Sequence, residues 1–217
     1  MDIIVKYIDE LLEKSTPDAP MWNIEKIRDG GVKSNWNYID GVMIKAVLQM
    51  YDVTKDEKYL KFADDFIDYR VHEDGTIEGY SVGEKNIDNV NAGKTLFELY
   101  DLTGKEKYRK AIDLVYSQIE IMPRCNNEAR SFWHKDIYPN QVWLDGLYMG
   151  QPFYMEYETR FNDKKNYPDI FNQFFNVVKN MRDEKTGLYY HAYDSSKEMF
   201  WCDKTTGLSK NFWLRAL

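Results

Sequence analysis

The stretch Tyr51-Asp52-Val53-Thr54-Lys55-Asp56-Glu57-Lys58-Tyr59-Leu60-Lys61 recurs further along the chain as Tyr100-Asp101-Leu102-Thr103-Gly104-Lys105-Glu106-Lys107-Tyr108-Arg109-Lys110. A fainter third copy starts at Tyr157, so the repeat has a period of roughly 50 residues. In each copy an apolar segment precedes the polar turn and an amphipathic segment follows it. The repeat therefore predicts antiparallel helical hairpins joined by short turns.

The hairpins predict the fold class. The apolar helices are expected at 41–50, 92–99 and 146–156, and the amphipathic ones at 58–69, 107–119 and 168–181, after a first helix at 3–14. A period near 50 residues is longer than the ~34-residue tetratricopeptide unit. It suits an all-α toroid in which inner helices ring an axis and outer helices surround them.

Long segments at 70–87, 121–142 and 182–210 join one hairpin to the next, and loops of this length usually carry function. Because the hairpins repeat, these loops are expected on one face. Residues 1–217 are expected to form a single toroid domain of about three and a half hairpins. That domain is expected to be truncated at its C-terminus, because a closed ring needs further hairpins.

Composition excludes several protein classes. Hydrophobic residues make up 43% of the chain and charged residues 30%, which excludes a disordered chain and a membrane bundle. The net charge is −7 with no basic cluster, which argues against nucleic-acid binding. Two cysteines, Cys125 and Cys202, are too few for a disulfide framework or a zinc site. With no evident signal peptide, we expect a cytoplasmic protein; the sequence does not specify its oligomeric state.

Acidic residues precede the apolar helices at nearly equivalent places. Asp88 and Asp145 each stand 12 residues before the tyrosine of the following turn, and Asp40 stands one step closer to its own. A lone aspartate here is explained by helix capping. Tryptophan and glycine neighbours favour a second explanation, in which Asp88 and Asp145 face one aromatic cavity. Paired carboxyls shift each other's pKa, as general acid catalysis on sugars requires.

Aromatic and basic side chains flank these acids in the loops. The loop 132–136 carries His134 and Lys135, the loop before the last helix carries His191, and Arg215 lies inside that helix. Each has an ordinary packing or surface explanation, but together they favour an anionic ligand such as a carboxylate. The two histidines lack the spacing of metal ligands, so neither a metal nor a cofactor is expected.

The segment 132–149, which reads Phe-Trp-His-Lys-Asp-Ile-Tyr-Pro-Asn-Gln-Val-Trp-Leu-Asp-Gly-Leu-Tyr-Met, closely resembles the unsaturated rhamnogalacturonyl hydrolases. These form glycoside hydrolase family 105 and are related to the family 88 unsaturated glucuronyl hydrolases. The stretches 88–93, 122–124, 191–194 and 207–216 support the resemblance. It implies a six-hairpin (α/α)6 toroid, of which this chain supplies about three and a half hairpins at the N-terminal side.

The resemblance also implies a reaction and a set of roles. Such enzymes remove the Δ4,5-unsaturated uronic acid that polysaccharide lyases leave at the non-reducing end of pectin or rhamnogalacturonan fragments. Asp145 is implied as the acid that protonates C4 of the double bond, and Asp88 as the second carboxyl. The implied substrate-binding residues are Tyr38, His134, Lys135, Trp143, Met149, His191, Trp213 and Arg215.

Two alternatives stay open at this stage. One is another toroid enzyme that acts on sugars, either an inverting glycosidase or a sugar epimerase. The other is a carbohydrate-binding fragment without catalytic activity. Turnover of a saturated substrate favours the first alternative, and binding without turnover favours the second.

Overall fold

The computed structural model describes residues 2–24, 30–31 and 33–216, apart from the side chains of Asp2 and Arg215. Within these residues the chain forms seven α-helices and two short strands. The helices are α1 Asp2–Glu13, α2 Tyr38–Thr54, α3 Glu57–Asp68, α4 Ile87–Thr103, α5 Glu106–Ile121, α6 Asp145–Phe161 and α7 Tyr167–Met181; the strands are β1 Gln141–Trp143 and β2 Ala192–Asp194. Short 3₁₀ helices lie at Met21–Asn23, Val82–Glu84 and Leu214–Ala216.

The chain divides into two compact units. The first comprises Met1–Ser81 and Asn91–Leu114, and the second comprises Val82–Val90 and Val115–Leu217. In the first unit α3 buries Tyr59, Ala63, Phe66 and Ile67 on one face. This spacing is that of an amphipathic helix, and α3 packs against α2. The prediction of a single domain over 1–217 stays a prediction.

The repeated turns have the same geometry. Lys55 and Gly104, which follow α2 and α4, both have a left-handed backbone, with φ of 55° and 68°. The Lys55 amide donates to the Tyr51 carbonyl and the Gly104 amide to the Tyr100 carbonyl, at 2.7 and 2.8 Å. The left-handed residue ends each helix and reverses the chain. The sequence repeat is thus a structural repeat of the turn.

The second unit holds the α6–α7 hairpin and an antiparallel sheet of two strands. Gln141 of β1 pairs with Asp194 of β2, and Trp143 pairs with Ala192. Val142 and Leu144 pack in a buried cluster with Val177 and Met181 of α7 and with Cys125. This apolar cluster fixes the end of β1 against α7, and α6 begins immediately after it.

The predicted helical content is confirmed, since helices dominate the described residues and the predicted helix positions match the observed ones. The strictly all-α prediction needs one correction. Loops 132–144 and 189–194 pair their backbones as strands and bridges, because their backbone groups need partners where no helix supplies them. Within the described ranges, no helix is both long and apolar enough to cross a bilayer.

Candidate active site

Asp88 lies in the first turn of α4, and a neighbouring side chain already caps that turn. The Asn86 side chain accepts a hydrogen bond from the Asp88 amide at 3.1 Å. Asp145 is the first residue of α6, whose cap position is Leu144, which makes no side-chain capping bond. Neither aspartate therefore acts as the cap that would explain it structurally, and both carboxyls are available for other partners.

Backbone pairing brings the loop 132–136 onto the start of α4. Asn86 and Lys135 form an antiparallel bridge. The Ile87 amide donates to the His134 carbonyl at 3.0 Å, and the His134 amide donates to the Gln141 carbonyl at 2.8 Å. These bonds hold His134 and Lys135 beside Asp88 without any contribution from their side chains.

A second backbone contact places His191 at the start of α6. The Leu144 amide donates to the His191 carbonyl at 2.9 Å, which extends the β1–β2 pairing by one step. The His191 Nε2 atom then lies 3.4 Å from Oδ1 of Asp145. The sheet, although only three residues long, therefore sets the distance between this histidine and this carboxyl.

The two carboxyls meet around His134. One oxygen of Asp88, one oxygen of Asp145 and one ring nitrogen of His134 all lie within 4.8 Å of one another. His134 Nε2 lies 2.9 Å from Oδ1 of Asp88, and the Lys135 ammonium lies 2.7 Å from Oδ2. Burial raises the pKa of the Asp88 carboxyl, but His134 and Lys135 outweigh it and hold that pKa below its usual range.

Aromatic rings border this acidic cluster. Trp143 lies edge-to-face with the His191 ring at a centroid distance of 4.9 Å, and its centroid is 6.0 Å from that of His134. Trp213 also contacts His191, with a distance of 4.5 Å between the centroids of the two rings. Indole rings next to paired acids suit a ligand with both apolar faces and charged groups, as sugar acids have.

A comparison with known protein families decides the family. Residues 14–217 match the family model described as Glycosyl Hydrolase Family 88. The chain belongs to this family. The resemblance drawn from the segment 132–149 is confirmed, because the match covers that segment and nearly all of the chain.

Two relatives of this Family 88 chain are described as hydrolases. Unsaturated rhamnogalacturonyl hydrolase YesR of Bacillus subtilis (strain 168) is 25% identical over 185 residues, which covers 83% of this chain and 50% of the relative. A solved glycoside hydrolase from family 105 of C. acetobutylicum ATCC 824 is 47% identical, with a TM-score of 0.81 over 88% of this chain and 53% of that chain. The Family 88 chain thus spans about half the length of these relatives.

A more distant structure shares the fold alone. The GH76A alpha-1,6-mannanase of Salegentibacter sp. HEL1_6 is 17% identical, with a TM-score of 0.58 over 74% of this chain and 46% of that chain. Helical folds of this type therefore occur in glycoside hydrolases of more than one family.

The structure of the Family 88 chain brings together most of the predicted site residues, all from its second unit. These are Asp88, His134, Lys135, Trp143, Asp145, His191 and Trp213. Met149 is buried in α6 one turn beyond Asp145, and its place in the site stays a prediction. Tyr38 begins α2 in the first unit, where its carbonyl accepts from Asn91. The Arg215 side chain lies outside the described residues.

Asp40, the third aspartate before an apolar helix, has a different environment. It is buried in the first unit, where it accepts hydrogen bonds from Trp22 at 2.7 Å and Asn37 at 2.9 Å. Burial raises the pKa of this carboxyl against the effect of those bonds. Asp40 thus belongs to a hydrogen-bond network separate from that of Asp88 and Asp145.

Trp201 is an aromatic residue of this region that sequence reasoning missed. Its ring lies 5.9 Å from that of Trp143, in the long loop after β2. The available signal was a tryptophan in a segment between hairpins, but nothing in the local sequence links it to residue 143. Asp194, the last residue of β2, is fully buried and accepts backbone hydrogen bonds within its own loop.

The donor set of this site bears on metal binding. Two carboxylate oxygens and an imidazole nitrogen within 4.8 Å could surround a cation. The Lys135 ammonium, 2.7 Å from Asp88, already supplies positive charge to one of these carboxyls. That contact favours a site which works without a metal, and the expectation of none stays a prediction.

Proposed function

We propose that this protein is a hydrolase that removes a Δ4,5-unsaturated uronic acid from the non-reducing end of lyase-generated oligosaccharides of the pectin or rhamnogalacturonan type. The observation that carries the proposal is the convergence of Asp88, Asp145 and His134 within 4.8 Å in a Family 88 chain. The 25% identity to YesR, described as an unsaturated rhamnogalacturonyl hydrolase, supports the choice of substrate class.

The environments of the two carboxyls separate their roles. Asp88 contacts two basic side chains, which keep it ionised because they stabilise its charge. Asp145 contacts His191 at a longer distance, 3.4 Å, and has no lysine partner among the described residues. The proton donor in this proposal is therefore Asp145, while Asp88 stabilises positive charge and holds water or sugar hydroxyls.

The proposed reaction needs water as its only co-reactant. Asp145 gives its proton to C4, and the electron pair of the C4–C5 double bond forms the new C–H bond. Positive charge develops at C5 and the ring oxygen, where the nearby carboxylates stabilise it. Water adds to C5 and returns a proton to Asp145, which gives a hemiketal. The hemiketal opens by breaking the bond between C5 and the ring oxygen, which leaves a ketone at C5 and a hemiacetal at C1. The hemiacetal then collapses to an aldehyde as the bond from C1 to the adjoining sugar breaks, and that sugar leaves with the hydroxyl proton.

The remaining side chains are assigned to substrate binding. In this proposal His134, Lys135 and His191 contact the uronate carboxylate or its neighbour, in keeping with the charge of the ligand. The same role for Tyr38 and Arg215 stays a prediction. Trp143 and Trp213 provide apolar ring faces for the sugar, and Met149 lines the pocket. The net charge of −7 does not oppose an anionic ligand, because local cations dominate within a Debye length of about 10 Å.

The carboxyl separation argues against one alternative. An inverting glycosidase keeps its two carboxyls roughly 6.5–9.5 Å apart so that water fits between them and the sugar. Here one oxygen of each carboxyl lies within 4.8 Å of the other. That spacing suits a pair of carboxyls close enough for the charge of one to affect proton transfer by the other.

The wider expectations belong to the same proposal. The helical hairpins would form part of an (α/α)6 toroid, in line with the TM-score of 0.81 to the C. acetobutylicum family 105 structure. A cytoplasmic location agrees with two free, buried cysteines.

Loss of the enol-ether absorbance on addition of lyase-digested pectin tests the proposal directly. We expect Asp145→Asn to abolish this loss while the thermal unfolding transition is retained. Asp65→Asn, which changes an exposed aspartate paired with Lys61, is the matched control and should keep full activity. Full activity in Asp145→Asn would reject the assigned acid. Binding of uronate oligosaccharides without turnover would favour the carbohydrate-binding alternative.

A further inference from the structure

The aromatic cluster extends beyond the rings that border the two carboxyls. Trp143 lies at the end of β1, two residues before Asp145, and contacts His191 on one side. Trp201 contacts Trp143 at 5.9 Å with the ring planes 59° apart. The contacts therefore lead from the carboxyl of Asp145 through His191 and Trp143 to Trp201, which is the ring farthest along this path.

The loop that carries Trp201 is built around a buried carboxylate. Asp194 has no exposed surface and accepts hydrogen bonds from the amides of Ser196, Glu198 and Met199 at 2.8–2.9 Å. Burial raises the pKa of Asp194, but these donors and the Ser196 hydroxyl outweigh it and hold that pKa below its usual range. A charged group with this many donors fixes the turn that precedes residue 201.

The far side of the loop is anchored as well. Cys202 is buried, and its backbone forms an antiparallel bridge with Ser209. Trp201 thus lies between the turn bonded to Asp194 and the bridge at Cys202, and its side chain is only partly buried. Its neighbour Phe200 is 88% exposed. A partly exposed indole held at a fixed position loses little conformational entropy when it binds a ligand.

We propose that Trp201 is a specificity-determining residue that stacks on the sugar unit beyond the pair joined by the reacting bond. The proposal rests on the proposed function and deepens it, because it makes the site selective for oligosaccharides longer than a disaccharide. The apolar face of a pyranose ring is the chemistry that the indole recognises. The roles assigned to Asp88 and Asp145 do not change, because the ring contact of Trp201 is with Trp143.

Binding measurements with ligands of two lengths test this inference. In an Asp145→Asn background, which prevents turnover, we expect Trp201→Ala to weaken calorimetric binding of an unsaturated tetrasaccharide about tenfold. Affinity for the unsaturated disaccharide should remain within about twofold. Trp201→Phe should restore most of the loss, because a ring face is retained. Phe200→Ala, on the same loop, should leave both affinities unchanged.

The outcomes separate this inference from the proposed function. Equal weakening of both ligands by Trp201→Ala would mean that the residue only supports Trp143, and would overturn the inference. Unchanged tetrasaccharide affinity would overturn it as well. In both cases turnover of unsaturated oligosaccharides by the unmodified chain would leave the proposed function standing. If the unmodified chain neither binds nor converts either ligand, the proposed function fails and the inference fails with it.

Discussion

His134 Nε2 lies 2.9 Å from Oδ1 of Asp88, and the next residue along the chain, Lys135, holds the other oxygen of the same carboxyl at 2.7 Å. Two consecutive side chains thus contact the two oxygens of one carboxylate. In a regular strand consecutive side chains point to opposite faces. The bridge between Asn86 and Lys135 and the bond from His134 to Gln141 set the local backbone that allows both to reach Asp88.

Removing the Lys135 ammonium should raise the pKa of Asp88. We expect Lys135→Met to move this pKa up towards its usual range, because one of the charges that outweigh burial is lost. Carboxyl-carbon NMR titration measures it. Lys85→Met, which removes a lysine 3.4 Å from Asp136, is the control and should not shift the Asp88 titration.

The same variant has a consequence for stability. An aspartate whose folded-state pKa is depressed stabilises the fold above its unfolded pKa of roughly 3.9, and this contribution is lost as pH falls through the folded value. Lys135→Met should therefore lower the free energy of unfolding by about 1 kcal/mol at neutral pH. In urea unfolding the difference from the unmodified chain should shrink towards zero in acid; a constant difference would contradict the linkage.

Gly146 should be required for the position of His134. A Cβ atom at this residue would lie 2.9 Å from Nδ1 of His134, which is closer than real contacts allow. We expect Gly146→Ala to displace the imidazole from Asp88 and to reduce turnover at least tenfold, with a smaller change in stability. Gly150→Ala, one turn further along α6, clashes with the Ile87 side chain alone at 2.8 Å and is the matched comparison. Equal activities of the two variants would contradict this role.

Glu158 should stabilise the turn between α6 and α7. It is fully buried and accepts hydrogen bonds from Tyr116 at 2.7 Å, Asn162 at 2.8 Å and Asn166 at 2.8 Å. Glu158→Ala leaves the buried Tyr116 hydroxyl and the part-buried Asn162 and Asn166 donors without this acceptor, so we expect a loss of about 3 kcal/mol in the free energy of unfolding. Glu156→Ala, which removes a partly exposed pair with Arg160, should cost less than about 1 kcal/mol in the same urea experiment.

The left-handed turn residues allow a reciprocal exchange. Lys55→Gly should stabilise the first unit by about 0.5–1 kcal/mol, because glycine adopts a φ of 55° without the strain of a side chain. Gly104→Lys, at the equivalent place in the next repeat with a φ of 68°, should destabilise it by a similar amount. Thermal unfolding of both variants checks the pair, and shifts of the same sign would contradict the structural equivalence of the turns.

A second internal repeat escaped sequence analysis. The stretches 183–188 and 203–208 share the pattern Asp-x-x-Thr-Gly-Leu. In both, the threonine hydroxyl donates to the aspartate, at 2.6 Å in Asp183 and 3.0 Å in Asp203, and the glycine amide donates to the aspartate carbonyl at 2.8 Å. The pattern is visible in the sequence, but both copies, about 20 residues apart, lie inside the single long segment predicted at 182–210.

The helices, the turns between them and the family are predictable from the amino-acid sequence. Helical periodicity and turn chemistry act over a few residues, so they can be read locally. The acidic and aromatic residues that gather at the site were also named from the segment that carries the family resemblance. Three relationships emerge from the folded structure instead: Asp40 belongs to a separate network, His134 and Lys135 both contact Asp88, and Trp201 contacts Trp143. The placement of His134 and Lys135 depends on backbone pairing between loops that lie tens of residues apart. The other two relationships depend on side-chain contacts between separate segments, and no local pattern records which segments meet.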